Sequence, residues 1–284
     1  MAPFAVLAGI AYASCESSQE EPVTTSAIDS PLSPELARQW LERWDRQQEG
    51  YIPQREGRFR AIVELVREVC GDAPLVLDLA CGPGSLTQRV LEAIPGASVV
   101  AVDLDPLLLA IAKAALGDAE GRVTWVEASL AEPSWLEALG GRPVDAAVST
   151  TALHWLDADV LMGLYRQLGA VVREGGVFLN GDHMDYPASE RGIGAAARAI
   201  RDRRTEEAFA APEMEDYQAW HDEFRALPEL ASLIAERDRR FESRGAERWR
   251  AGYEMHRAGL LNAGFREVTT VWQDLDNRVI AALR

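Results

Sequence analysis

The sequence contains few cysteines and few basic residues, and both shortages narrow the class of protein. Three cysteines among 284 residues (Cys15, Cys70 and Cys81) have no metal-ligand spacing and are too few for a disulfide framework, which favours a reducing, cytoplasmic environment. Lysine and arginine total 29 against 45 acidic residues, a net charge of −16. Because nucleic-acid binding depends on basic residues that neutralise phosphates, we expect no nucleic-acid partner.

Long apolar runs are missing as well. No run approaches the roughly 20 residues needed to cross a bilayer, so we expect no membrane partner. Histidine and acidic residues do not cluster with the spacing of a metal site, so we expect no bound metal. What remains is ordinary globular composition, 48% apolar and 26% charged, in a length that suits one substantial α/β core.

The first residues resemble a leader only in part. Met1–Ala13 is apolar and precedes Ser14 and Cys15, but it lacks the lysine or arginine that opens a secretory signal. We expect Met1–Pro22 to be disordered or untranslated in the cell, with the natural chain beginning at Val23.

Helical signals come first in the chain and are followed by alternating strands and helices. Within residues 23–74, Ser33 and Pro34 are typical of a helix start, Tyr51-Ile52-Pro53 ends that helix, and a second amphipathic helix ends near Gly71. From Leu75 short apolar runs alternate with helical stretches, which indicates βαβ units and a parallel sheet. The predicted strands are Leu75–Ala80, Ser98–Asp103, Arg122–Glu127, Val144–Ser149 and Gly176–Gly181. The predicted helices between them are Ser85–Ile94, Pro106–Leu116, Pro133–Leu139 and Asp157–Val172.

The later part of the chain departs from this alternation. Ala188–Arg250 is long, charged and helical, and we expect residues 188–250 to form a lid or substrate insertion. Its aromatic residues either line an acceptor pocket or pack the helices onto the domain (Trp220, Phe224 and Trp249). A helix over Glu254–Ala263 then precedes two strands, Arg266–Gln273 and Asn277–Leu283, whose short connection predicts an antiparallel hairpin at the sheet edge.

The segment after the first strand carries the strongest chemical signal. The strand ends with Asp78, and the chain then turns through Gly82 and Gly84 into a helix. Glycines allow a close backbone approach to a ligand. A dinucleotide site would need a third glycine where Thr87 stands, and its pyrophosphate would gain nothing from the Asp78 carboxylate. A phosphate-free ligand with an ammonium and a sulfonium would gain from it, which points to S-adenosyl-L-methionine.

A second carboxylate closes the next strand. Asp103 follows Val99–Val102, and a carboxylate at this position can accept two hydrogen bonds from a ribose diol. Asp105 competes for this role, but its place before Pro106 favours a helix N-cap.

In order and spacing, these and later segments resemble the successive motifs of class I S-adenosylmethionine-dependent methyltransferases. The segments are Val76–Ser85, Val99–Asp105, Val123–Leu130, Val144–Trp155, Leu168–Gly181 and Leu260–Phe265. The resemblance implies a doubly wound α/β fold over residues 75–284, with a seven-stranded sheet of order 3-2-1-4-5-7-6 and strand 7 antiparallel. It implies that the glycine loop cradles the methionyl part of the donor and that Asp103 binds its ribose. It further implies that residues 23–74 cover the donor site and that neighbouring positions contact the donor (Ala80, Leu104, Leu130 and Thr150).

Two positions need separate interpretation. Where the family often has an aspartate that bonds the adenine amino group, this chain has Ser129, which can do so more weakly. Arg58 and Tyr51 lie where small-molecule members often cover the donor, so Arg58 either bonds the donor carboxylate or is a surface arginine of its helix.

The predicted chemistry is methyl transfer to an oxygen, nitrogen or carbon atom of a small molecule, such as a secondary metabolite. His154 and His183, which follow the fourth and fifth strands, are the candidate general bases; each could instead line the pocket. Ser149–Ala152 replaces the Pro-Pro-Tyr type of motif that flanks a target base in nucleic-acid enzymes of this fold. The alternative is a non-methylating biosynthetic step, a cyclase or decarboxylase, on the same fold and donor site.

Overall fold

The computed structural model describes residues 30–242 and 251–284. The expected late start at Val23 and the role considered for Trp249 lie outside these residues. Two helices come first, α1 (Pro34–Tyr51) and α2 (Arg55–Cys70). The Ser33 hydroxyl accepts the Leu36 N–H at 3.3 Å and Pro34 occupies the first turn, so α1 begins where its capping residues predict.

The sheet has the predicted topology. Its strands are β1 (Leu75–Leu79), β2 (Ser98–Asp103), β3 (Val123–Glu127), β4 (Val144–Thr150), β5 (Val172–His183), β6 (Glu267–Asp274) and β7 (Asn277–Leu283). Their order is 3-2-1-4-5-7-6; β1 to β5 run parallel and β7 pairs antiparallel with β5 and β6. The predicted fold class is therefore confirmed.

Helices cover both faces of the sheet, which explains why its central strands are apolar almost throughout. Between the strands lie α3 (Ser85–Ala93), α4 (Pro106–Leu116) and α5 (Ala158–Val171). One core holds side chains of α2, α3 and α4, and the other holds side chains of α5 and of α9 (Tyr253–Asn262). Among the described helices, none is both long and apolar enough to cross a membrane.

Two local predictions need correction. Pro133–Leu139 forms a 3₁₀ helix, not an α-helix. β5 begins at Val172, before the predicted Gly176, because Val172 already pairs with Val144; the register then shifts, and regular pairing resumes at Val177.

Within the described residues 184–242, three α-helices follow β5: α6 (Arg191–Phe209), α7 (Tyr217–Arg225) and α8 (Ala231–Phe241). Trp220 and Phe224 of α7 are buried and stack at 5.1 Å between ring centroids, with Trp40 of α1 edge-on to both. These two aromatic residues therefore pack α7 onto α1, the second of the two roles considered for them.

Candidate active site

The carboxyl ends of β1, β2, β4 and β5 meet at one edge, where open parallel sheets bind ligands. The loop after β1 turns through Gly82 and Gly84, with φ of +57° and +90°. A Cβ on Gly84 would lie 2.8 Å from Leu116 Cδ1, whereas the nearest atom to one on Gly82 is 3.9 Å away. At Gly84 the left-handed φ and the close side chains both favour glycine, whereas Gly82 leaves open space for a ligand to approach the backbone.

Two non-glycine residues with a strained backbone conformation lie at the same edge of the sheet. Ala80 at the end of β1 and Thr151 after β4 have φ of +55° and +57°, a left-handed conformation that non-glycine residues rarely adopt. Residues held in this way often lie at functional sites, because the surrounding structure must compensate their cost.

Asp78 lies under the glycine loop and is only 1% exposed. Its Oδ2 accepts the Thr87 hydroxyl at 2.6 Å, so the residue that replaces the third glycine of a dinucleotide motif holds this carboxylate. Burial raises the pKa of Asp78 to about 7, and the neighbouring Asp103 carboxylate adds to the rise. A buried carboxylate of this kind is stabilised by a cation.

Asp103 ties the glycine loop to β2. Its Oδ2 accepts the Gly82 N–H at 2.7 Å and its Oδ1 accepts the Asp105 N–H at 2.8 Å. Burial raises its pKa to about 6 against the lowering effect of these bonds. Because a carboxylate offers about four lone-pair positions, acceptor capacity remains for a ribose diol. Asp105 caps α4, as its position before Pro106 predicts.

The two carboxylates and the open loop fit the predicted donor. Two buried acidic groups, each with a pKa raised chiefly by burial, favour a ligand with positive charge, and the space beside Gly82 admits it near the backbone. The negative charge of the Asp78 and Asp103 carboxylates would repel a pyrophosphate.

The residues predicted for the adenine end lie after β2 and β3. Leu104 is half-buried, and its carbonyl accepts Arg240 Nη1 at 2.9 Å. The Ser129 hydroxyl accepts the Ala131 N–H at 3.2 Å and so stabilises its own turn, while Leu130 is buried in the core. The predicted adenine contact of Ser129 stays a prediction.

Arg58 is fully buried and is no surface arginine. Its guanidinium donates to Thr151 Oγ1 at 2.6 Å, to Thr150 Oγ1 and the Gly181 carbonyl at 3.1 Å each, and to Asn277 Oδ1. None of these partners among the described residues is a carboxylate. Burial accordingly lowers the pKa of Arg58 to about 10, and an anionic ligand would relieve this cost.

A second arginine, Arg55, lies near the start of α3, the helix that follows the glycine loop. Asp45 Oδ1 of α1 accepts Arg55 Nη1 at 2.8 Å and the Ser85 hydroxyl at 2.5 Å, and Asp45 Oδ2 accepts Arg89. α1 is thereby fixed to the first residue of α3. Sequence alone does not distinguish Arg55 from Arg58, since both lie on the same helix.

His154 forms a pair with Asp182 across the ends of β4 and β5. Its Nδ1 lies 2.8 Å from Asp182 Oδ1, and Asp182 also accepts the backbone N–H groups of His154 and His183. Asp182 is 1% exposed; burial acts to raise its pKa, but the adjacent His154 ring and Arg58 hold that pKa well below its usual range. A fixed carboxylate orients the ring and stabilises its protonated form.

His183 has a less defined partner. Its Nδ1 lies 3.5 Å from Asp276 Oδ2, which also pairs with Arg201 of α6. Within the described part of the chain, His183 Nδ1 and Asn277 Nδ2 are buried without a hydrogen-bond partner. The two histidines are therefore near each other in the fold but differ in their surroundings.

Sequence reasoning missed the partner of His154. Asp182 stands beside His183 in Gly181-Asp182-His183, and strand alternation places it on the same face as Phe178 and Asn180. That alternation was a usable signal. Arg240 of α8, which meets Leu104 and Glu127, had no such signal, because it lies 136 and 113 positions from them along the chain.

Comparison with known proteins agrees with this geometry. A family model described as a methyltransferase domain matches residues 76–176. Trans-aconitate 2-methyltransferase from Azoarcus sp. (strain BH72) is 37% identical over 140 residues, which are 48% of this chain and 49% of that protein. Malonyl-[acyl-carrier protein] O-methyltransferase from Anoxybacillus flavithermus is 32% identical over 94 residues, 33% and 34% of the two chains. The matched region thus spans about half the length, or less, of these curated relatives.

Solved structures share the fold. An O-methyltransferase family protein from Burkholderia thailandensis superposes with a TM-score of 0.51 at 19% identity, covering 88% of this chain and 71% of that one. DesVI from Streptomyces venezuelae gives a TM-score of 0.51 at 13% identity, covering 88% and 98%. At these identities the likeness concerns the fold.

Proposed function

We propose that this chain, whose residues 76–176 match a methyltransferase-domain model, is a class I S-adenosylmethionine-dependent methyltransferase that transfers the donor's methyl group to an oxygen atom of a small molecule. The observation that carries the proposal is the pair of buried carboxylates, Asp78 and Asp103, on either side of the glycine loop. The relatives above include a protein named as an O-methyltransferase, which supports oxygen as the acceptor atom.

The proposed division of labour follows from the chemistry of the donor. When bound, S-adenosylmethionine supplies a methyl group on a sulfonium, so the leaving group is already built in. The chain then needs to hold the nucleoside, align the acceptor and exclude water. Asp103 and the loop would hold the nucleoside. Helices α1 and α2, with α6 to α8 of the insertion, would cover the site.

The His154–Asp182 pair favours an acceptor that loses a proton, such as a hydroxyl group. With Nδ1–H donating to Asp182, the ring is held so that Nε2, on its far side, can take a proton. A second candidate acceptor is a carboxylate, which needs no base. The buried charge of Arg58, whose hydrogen-bond partners among the described residues include no carboxylate, favours it, as do relatives named for trans-aconitate and malonyl groups.

We expect Asp103→Ala to weaken binding of S-adenosylhomocysteine about 100-fold, because hydrogen bonds to a charged acceptor would be lost from the ribose. Isothermal calorimetry on the purified chain measures this. Asp118→Ala, in the turn before β3, is the matched control and should bind as the unaltered protein does. Undiminished binding by Asp103→Ala, or none by the unaltered protein, would contradict the proposal. Formation of S-adenosylhomocysteine from labelled donor distinguishes methyl transfer from a cyclase or decarboxylase reaction.

Arg58→Met tests whether Arg58 binds the carboxylate of the donor or the carboxylate of an acceptor. If it bonds the donor carboxylate, as the resemblance implies, S-adenosylhomocysteine binds about tenfold more weakly, whereas 5′-methylthioadenosine, which lacks that carboxylate, binds unchanged. Unchanged binding of both nucleosides with a raised acceptor KM would instead assign Arg58 to an anionic acceptor. Arg58→Lys keeps the charge and is used instead if the methionine variant unfolds.

The cytoplasmic location stays a prediction from composition.

A further inference from the structure

Two arginines of α8 reach across to the strand ends. Arg240 donates from Nη1 to the Leu104 carbonyl at 2.9 Å and from Nη2 to Glu127 Oε1 at 2.6 Å. Arg237 donates from Nε to Asp105 Oδ2 at 2.6 Å. We call these contacts the α8 clasp.

The clasp lies at one particular end of the donor site. Leu104 and Asp105 directly follow Asp103, and Glu127 is the register partner of Asp103 at the end of β3. The methionyl end, by contrast, lies toward the glycine loop after β1. Both guanidinium groups therefore meet the chain next to the residues proposed for ribose and adenine.

Ion pairs connect the last two turns of α8 to the strand ends. Leu233 and Ile234, in its first half, pack partly buried against the core that α1 and α4 share, but none of the described residues Ala231–Phe241 is fully buried. The Arg237 and Arg240 side chains are 16% and 13% exposed, so their ion pairs are largely shielded from water. Shielded pairs are screened less and contribute more than surface pairs do.

We propose that Arg240, supported by Arg237, is a positioning residue that fastens the helical insertion over the adenosine end of the donor site, so that donor affinity depends on the α8 clasp. The inference rests on the proposed function, because it presumes that the donor binds at Asp103. With the clasp formed, Leu104 and the end of β3 are held in place, and the nucleoside is enclosed on that side. With it broken, the last turn of α8 loses its ion pairs to the strand ends.

Calorimetry with two nucleosides tests this. Arg240→Met should raise the Kd of S-adenosylhomocysteine about tenfold and that of 5′-methylthioadenosine by the same factor, since both carry the adenosine. At saturating donor, the KM for the acceptor should not change. Arg240→Lys, which keeps the charge but cannot bridge both acceptors, should fall between, and it replaces the methionine variant if that unfolds. Glu127→Gln should weaken binding, and its combination with Arg240→Met should be no worse than Arg240→Met alone.

Asp238→Asn is the matched control. Asp238 lies on the same helix but pairs at the surface with Arg225 of α7, away from the strand ends. It should leave both Kd values within about twofold. The inference is overturned if Arg240→Met binds both nucleosides normally, if it weakens only S-adenosylhomocysteine, or if Asp238→Asn weakens binding equally. If the unaltered protein binds neither nucleoside, the proposed function fails and takes this inference with it.

Discussion

Replacing His154 with glutamine should lower kcat by about 100- to 10,000-fold, the range that a positioned general base contributes, if the acceptor loses a proton. The expectation rests on the 2.8 Å contact between His154 Nδ1 and the buried Asp182. Glutamine keeps hydrogen-bonding capacity and similar length but cannot take up the proton. Steady-state rates, measured once an acceptor has been found by screening hydroxylated and carboxylated metabolites, give the comparison, with the Kd for S-adenosylhomocysteine unchanged.

Two further variants make this result specific. Asp182→Asn should lower kcat as well, because an asparagine no longer stabilises the charged ring or fixes which nitrogen carries the proton. His183→Gln should cost less, since the nearest carboxylate to its ring, at 3.5 Å, is shared with Arg201. His221→Gln, on α7, is the control and should retain full activity. A His154→Gln enzyme with normal kcat would exclude a base at this position and would favour the carboxylate acceptor.

The sequence was enough to place the acidic and glycine residues at this sheet edge, because they are local to strand ends; their contacts with the donor stay predictions. Asp78, Gly82 and Asp103 each follow directly from where a strand stops, and parallel strands bring their ends together. Asp105 was likewise predictable as a cap, because capping depends on the next residues along the chain.

Partners from distant parts of the chain could not be predicted in this way. His154, just after β4, pairs with Asp182 near the end of β5, 28 positions away, and Arg240 meets Glu127 across 113 positions. Arg58 was assigned to a helix surface or to the donor, whereas its burial depends on α2 lying over β4, β5 and β7. Trp220 was ambiguous for the same reason, because only its packing against α1 distinguishes core from pocket.

Asp78→Asn should have opposite effects on binding and on stability. The folded carboxyl group has a pKa of about 7 because of burial, against an ordinary value of 3.8. Between these pH values the unfolded chain has released this proton while the folded protein still holds it, so raising the pH favours unfolding. The penalty begins near pH 4, grows toward pH 7 and is constant above, where it approaches about 4 kcal/mol.

An uncharged asparagine avoids this penalty and can still accept the Thr87 hydroxyl. The ligand-free variant should therefore melt at a higher temperature than the unaltered protein at pH 8, with a much smaller difference at pH 4.5. Its affinity for S-adenosylmethionine should fall at least tenfold, because the charge that faces the donor's cationic groups is gone. Scanning calorimetry at both pH values and titration with the donor measure the two effects.

Asp72→Asn provides the comparison, since Asp72 is exposed and pairs only at the surface with Arg67. It should alter neither the melting temperature nor donor binding measurably. If Asp78→Asn is no more stable at pH 8, Asp78 carries no burial cost in the folded protein. If it binds the donor normally, its charge is not used there. A gain in stability together with a loss of binding means that the buried Asp78 carboxylate strengthens donor binding while it destabilises the folded protein.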